Sequence, residues 1–245
     1  MRPLKSLPFD LDSTVAGWTR LGAGFSGSSA NSTPDVERLL IATARFAPSM
    51  SRLFIMAATW LNQYGDAVAI ARLWRLVQEE LDPLERARLG LLLEISQLGT
   101  QPLQFRSIIQ AIKPNRKAQP LFDAERSTSH LVERAKQRAS TISSKWGLWC
   151  AEFDFKSDAL RPPSWVMKHN PSLRLRADFR GDLRASVLAA LEYDENAGES
   201  EVCLAQRSGG SRSQVRNALD NLELTLRVKR ERIDGSRRTR IYLVR

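Results

Sequence analysis

After Leu224 the apolar residues of this chain change period, and that change limits the folds open to its C-terminal quarter. Before it, Val215, Ala218, Leu219 and Leu222 recur at three- and four-residue spacing, which predicts a helix with one buried face. Ser211-x-x-Gln214 precedes them as a capping box, the hydroxyl accepting from the third backbone N–H while the glutamine reaches back. Beyond it, Leu226, Val228 and Arg230 alternate with Arg227, Lys229 and Glu231, a strand period. Asp234-Gly235 suits the two positive-φ positions of a type I′ turn, and 238–244 returns as a second strand through Ile241, Tyr242, Leu243 and Val244. Upstream, 183–191 has an apolar face of Leu183, Val187, Leu188, Ala190 and Leu191. Residues 201–206 form a very short helix with Ser200 as its cap, and Ser208-Gly209-Gly210 is a tight turn.

The rest of the chain keeps a helical period. Residues 35–47 predict a helix stopped by Pro48, and 51–64 carry a broad apolar stripe closed by Gly65. Residues 66–81 repeat the pattern, and Asp82-Pro83 caps a helix to about Leu98. Short connections imply antiparallel neighbours, so 35–112 reads as a small helical bundle. Residues 113–117 are a basic loop and 131–143 a basic amphipathic helix. Residues 1–34 read as a flexible tail and linker, because Gly, Ser, Ala, Asn and Thr dominate 22–34. Trp146, Trp149, Phe153, Phe155 and Trp165 cluster beside Pro162-Pro163, read as an interdomain or dimerisation connector. The expected fold class is mainly α. A helical domain (35–145) and an aromatic connector (146–171) precede a C-terminal domain (172–245) with a small β-hairpin.

Charge then bears on partners. The 245 residues include 37 Lys and Arg against 27 Asp and Glu, a formal net charge of +10. From 206 to 245 there are eleven basic and four acidic residues, and ten of the eleven are Arg, whose planar fork suits phosphates and base edges. Residues 101–150 hold a second excess, nine basic against three acidic, while Glu192, Asp194, Glu195, Glu199 and Glu201 form a purely acidic stretch. No apolar run approaches the length of a membrane span, and the N-terminus lacks the apolar core of a secretory signal. Cys150 and Cys203 cannot build a disulfide framework, which fits a reducing cytoplasm.

The order helix, short helix, glycine turn, helix, basic hairpin over 182–245 resembles the winged helix-turn-helix domains of bacterial transcriptional regulators. The resemblance implies that the helix from Ser211 enters the major groove of double-stranded DNA. Arg212, Ser213, Gln214, Arg216 and Asn217 would then face base edges, with Arg suited to guanine and Asn or Gln to adenine. Arg207, Lys229, Arg230, Arg232, Arg237, Arg238 and Arg240 would hold phosphates. A homodimer is implied in the same way. One departure is the absence of the Gly that usually ends the recognition helix, where Thr225-Leu226 stand here. The alternative is an antitoxin-like or defence-system subunit that engages a protein partner through the helical domain.

Enzyme motifs fail on context. Gly22-Ala-Gly24-Phe-Ser-Gly27 spells a dinucleotide fingerprint, but no helix is predicted after it to hold a pyrophosphate. His130 and His169 have no ligand-spaced neighbours, so neither a metal nor a cofactor is expected. Asp123 with Asp154-x-Lys156 is the best nuclease-like set, on a short strand through Glu152, Phe153 and Phe155, yet surface charge accounts for it better. The expectation is a binding protein, not an enzyme.

Overall fold

Asp10 opens the first helix of the chain by a capping box: its side chain accepts the Ser13 N–H at 2.8 Å, and the Ser13 hydroxyl accepts the Asp10 N–H at 2.8 Å. That helix, α1 (Leu11–Arg20), buries Trp18 completely, so the segment expected to be a flexible tail contributes to a core. The Gly- and Ser-rich composition of 22–34 had extended the linker reading too far toward the N-terminus. The structure is a computed structural model that describes residues 9–99, 104–232 and 239–244.

Further helices follow as α2 (Val36–Phe46), α3 (Ser51–Tyr64), α4 (Ile70–Glu80), α5 (Pro83–Ser96) and α6 (Arg106–Ala111). A two-residue strand β1 (Gln119–Pro120) precedes α7 (Ser129–Arg138) and α8 (Thr141–Lys145). Strand β2 (Leu148–Trp149) runs parallel to β1, with Gln119 opposite Leu148 and Pro120 opposite Trp149. Then come α9 (Pro163–His169), α10 (Pro171–Ala177), α11 (Leu183–Tyr193), α12 (Glu201–Ser208) and α13 (Arg212–Leu224). Strands β3 (Val228–Arg232) and β4 (Thr239–Leu243) close the chain as an antiparallel pair in which Arg230 stands opposite Ile241. The protein is therefore mainly helical, with a small C-terminal β-hairpin. The Asp234-Gly235 turn expected between β3 and β4 lies outside the described residues.

The chain forms two compact units, and neither is continuous in sequence. One comprises Met1–Gly65 with Glu80–Asn170, the other Asp66–Glu79 with Pro171–Arg245. The first boundary corrects the expected helical domain of 35–145: nearly all of α4 belongs with the C-terminal residues. Helical period alone says that 66–81 has a face to bury, but not against what.

In the first unit α2, α3 and α5 pack against one another and α1 packs on α2. Trp18 and Trp60 meet edge to face at 5.5 Å, and each buried indole finds an acceptor, Thr43 Oγ1 and the Leu21 carbonyl, both at 2.9 Å. The expected connector at 146–171 is also core here. Trp146 is buried with its N–H on Glu94 Oε2, and Phe153 meets Phe54 edge-on at 6.1 Å. Residues 131–143 are two helices rather than one, because Ala139 is extended (φ −60°, ψ 129°) and Ser140 caps the next helix. No strand forms at 152–155. The glycine fingerprint at 22–27 answers a packing need: Gly24 lies so close to the Ala159 carbonyl that a Cβ would meet its oxygen at 2.6 Å.

The second unit has its own core of Val187, Leu188, Ala190, Ala197, Leu204, Ala205, Val215, Ala218, Leu219, Leu222, Val228 and Ile241. All but Ala197 come from α11, α12, α13 and the hairpin, at apolar positions of the sequence periods, whereas Val202 and Leu226 of the same segments are exposed. Helix α4 joins them through charge. Arg72, fully buried, reaches Asp194 with Nε at 3.2 Å from Oδ2 and Nη2 at 3.2 Å from Oδ1. Arg75 adds Nη2 at 3.4 Å from the same carboxylate and donates from Nε to the Arg207 carbonyl at 2.9 Å. Gly209, at φ +80°, follows α12, and a Cβ there would overlap the Ala71 carbonyl oxygen. Left-handed backbone and close approach together require glycine at this turn.

Candidate nucleic-acid interface

Helix α12 begins at Ser200, whose side chain accepts the Cys203 N–H, and ends at Gly209. Ser211 restarts the chain as α13. Its hydroxyl accepts the Gln214 N–H at 3.3 Å and Gln214 Oε1 accepts the Ser211 N–H at 3.0 Å, the capping box expected from the sequence. Val215, Ala218, Leu219 and Leu222 of α13 are buried, while Arg212, Ser213, Gln214, Arg216 and Asn217 are exposed. The five residues expected at base edges thus share the solvent side of one helix start. Gln214 is partly committed, since its carbonyl oxygen serves the cap.

The helix end departs from expectation in an informative way. Thr225 is the C-cap and Leu226 takes the left-handed conformation at φ +54°. The Leu226 N–H donates to the Glu223 carbonyl at 2.9 Å and the Arg227 N–H to the Leu222 carbonyl at 2.8 Å. That bond pattern is a Schellman motif, which normally carries Gly at this position. Leu226 occupies it at a conformational cost of about 1–2 kcal/mol, with its side chain 77% exposed. Leu226→Gly should raise the unfolding free energy by about 0.5–1 kcal/mol once the greater entropy of unfolded Gly is deducted. A urea midpoint that falls instead would show that the leucine side chain makes a stabilising contact.

Charge on this face is more neutralised than the sequence count suggests. Glu201, in the first turn of α12, accepts from Arg216 Nη2 at 2.9 Å and lies 3.8 Å from Arg212 Nε. That hydrogen bond raises the pKa of Arg216, so its guanidinium stays charged at any working pH. Arg230, expected on phosphates, is instead clamped by Glu223 at 2.5 Å and Asp220 at 2.7 Å, tying β3 to α13. The Arg230 contacts hold the Glu223 carboxyl below its usual range. Lys229 pairs with Glu231, and Arg240 lies opposite Glu231 on the next strand, its guanidinium 5.6 Å from the Tyr242 ring. Arg232 is exposed, Arg207 is half-buried, and Arg237 and Arg238 lie outside the described residues.

The acidic stretch at 192–201 has internal work that sequence reading missed. Asp194 neutralises Arg72 and Arg75, Glu192 accepts from Arg176 at 3.2 Å, and Glu201 serves the start of α13. Each pairing joins residues distant in the chain, so no local spacing signals it.

Among the described residues no group of three His, Cys, Asp or Glu side chains is placed to hold a metal ion. Asp123 is paired with Arg126 at 3.1 Å, and His169 stacks on Trp165 at 4.0 Å while its Nδ1 lies 2.8 Å from the Trp165 carbonyl oxygen. Cys150 is buried, which pushes its thiol pKa up to about 12 and removes it as a nucleophile near neutral pH. No helix among the described residues is long and apolar enough to cross a membrane. Compared with family models, curated proteins and solved structures, the chain matches none.

Proposed function

We propose that the second unit is a winged helix-turn-helix that binds double-stranded DNA, and that the protein is a sequence-specific transcriptional regulator of prokaryotic type. The observation that carries this reading is the polar half of α13: Arg212, Ser213, Arg216 and Asn217 stand exposed at its N-terminal end, backed by a buried apolar stripe. Such a helix start presents donors and acceptors to base edges in the major groove. Its partner helix α12, the glycine turn and the β3–β4 pair occur in the order this fold requires. The protein would act as a homodimer in the cytoplasm, where its two free cysteines stay reduced, with the first unit serving dimerisation, sensing or partner binding.

The test is fluorescence anisotropy of the full-length protein on a duplex selected from a random pool, beside a scrambled duplex of equal length. Arg216→Ala should cost about 1–3 kcal/mol on the selected duplex and relax base preference at the contacted position. Equal loss on both duplexes would assign Arg216 to phosphate, and no preference in the parent protein would overturn specific regulation.

A protein-contact role is the second reading, favoured by the adjacent Leu224 and Leu226, 81% and 77% exposed. A stable protein complex formed without any duplex binding would establish it.

A further inference from the structure

We propose that the first unit carries a separate binding surface for the phosphate backbone of duplex DNA, formed by the loop 113–117 and helix α7. The inference stands on the first unit alone and does not require the second unit to bind DNA.

Six exposed cations lie on these segments: Lys113, Arg116 and Lys117 on the loop, and on α7 Arg134 and Arg138 one turn apart on one side with Lys136 on the other. Among the described residues none of the six has a carboxylate within ion-pairing distance, whereas their neighbours Arg126 and Lys145 are paired with Asp123 and Glu94 at 3.1 and 2.7 Å. In the second unit Arg212, Arg216, Lys229 and Arg230 have internal acids, while Arg207, Arg227 and Arg240 have no ion pair among the described residues. Glu133 is the lone acid on α7. Lys136 and Arg138 also suit the negative end of their own helix and Lys113 that of α6, but Arg116 and Lys117 have no such reason to be there. A cluster of like charges without counter-charge repels itself, and an external polyanion removes that repulsion.

Both segments are tied to one short ladder. The Asn115 N–H donates to the Trp146 carbonyl at 3.0 Å, Asn115 Nδ2 donates to the Lys117 carbonyl at 2.5 Å, and the Gln119 N–H reaches the Gly147 carbonyl at 3.2 Å. The chain leaving α7 is fixed by the Ser140 N–H on the Cys150 carbonyl at 2.9 Å, and Lys136 Nζ stands 5.8 Å from the Trp149 ring centroid. Loop and helix are therefore anchored at 146–147 and 149–150, at most about 13 Å apart, the span of a fully extended chain of that length. A duplex carries one phosphate charge per ~1.7 Å of its axis, so cations on both segments can each meet a phosphate.

Backbone rather than base chemistry follows from the residue types, which offer cations but no Asn or Gln pair on a helix start. Duplex rather than single strand is favoured by the aromatic content: Trp149 is half-buried beside Lys136 and the one exposed ring on α7 is the imidazole of His130, so no exposed Trp, Tyr or Phe there offers a base a stacking platform.

The test measures anisotropy of the full-length protein on a random-sequence duplex across a salt series. The loop variant Lys113→Gln/Arg116→Gln/Lys117→Gln and the helix variant Arg134→Gln/Lys136→Gln/Arg138→Gln are compared with Arg212→Gln/Arg216→Gln. The slope of log affinity against log salt should become shallower by about 0.9 per lost contact, hence by about 2–3 in the loop variant and about 2 in the helix variant, with unchanged melting temperature. The two variants alter different elements, so if one failed to fold the other would still decide the matter. Unchanged slopes in a folded variant would overturn the proposal, as would a loss confined to single-stranded RNA with duplex binding intact. Loss in the first-unit variants with none in Arg212→Gln/Arg216→Gln would support this surface and leave base reading by α13 to the selected duplex. Loss in Arg212→Gln/Arg216→Gln with none in the first-unit variants would overturn this surface.

Discussion

Asp194→Ala is expected to destabilise the second unit by about 3–5 kcal/mol, because it removes the buried carboxylate that two guanidinium groups share. Arg72 is 0% exposed, Arg75 9% and Asp194 4%, so water cannot replace the lost carboxylate. Both guanidinium groups reach the Asp194 carboxylate, Arg72 at 3.2 Å and Arg75 at 3.4 Å. A pair so buried contributes little net stability compared with an apolar replacement, but removing one partner exposes the full desolvation cost of the other. Hydrogen exchange of the amides of α11 and α13, read against denaturant, is the suitable measurement, since it reports on this unit separately from the first. A loss below about 1 kcal/mol would mean that the site opens to water and the arginines are resolvated.

Excising residues 171–245 should give a chain that does not fold cooperatively, although it contains every helix and strand of the proposed DNA-binding domain. The fragment lacks α4, and with it the partners of Asp194, the donor to the Arg207 carbonyl and the backbone against which Gly209 is packed. Asp66, paired with Arg180 at 2.7 Å, is lost as well. A domain of about 75 residues has little stability in reserve, so an unneutralised Asp194 together with lost packing exceeds it. Joining 66–80 to 171–245 through a flexible Gly/Ser linker of about 15 residues should restore a cooperative melt. A fragment 171–245 that melts cooperatively by itself would show that α4 is accessory, and the unit would then be the contiguous one that the sequence suggested.

The local elements were legible because their signals are local. Ser211 and Gln214 announce their helix by spacing alone, Asp82-Pro83 does the same for α5, and the change of period after Leu224 separates α13 from β3. The solvent side of α13 was legible too: once Val215, Ala218, Leu219 and Leu222 face inward, geometry turns Arg212, Arg216 and Asn217 outward. The tail was misjudged where composition outweighed a cap, Asp10 with Ser13. The break at Ala139 was missed because basic and small residues continue the helical period across it.

What the sequence determined by itself is thus the class of the fold, the starts of α5, α12 and α13 and the exposed face of α13, since each depends on residues within one or two turns of each other. Tertiary structure alone decided that α4 belongs with residues more than a hundred positions away, that Arg230 serves an internal clamp, and that Leu226 stands in for glycine. The reason is physical. A buried charge such as Arg72 is tolerable only beside its counter-charge, and which carboxylate meets it depends on how the chain returns on itself.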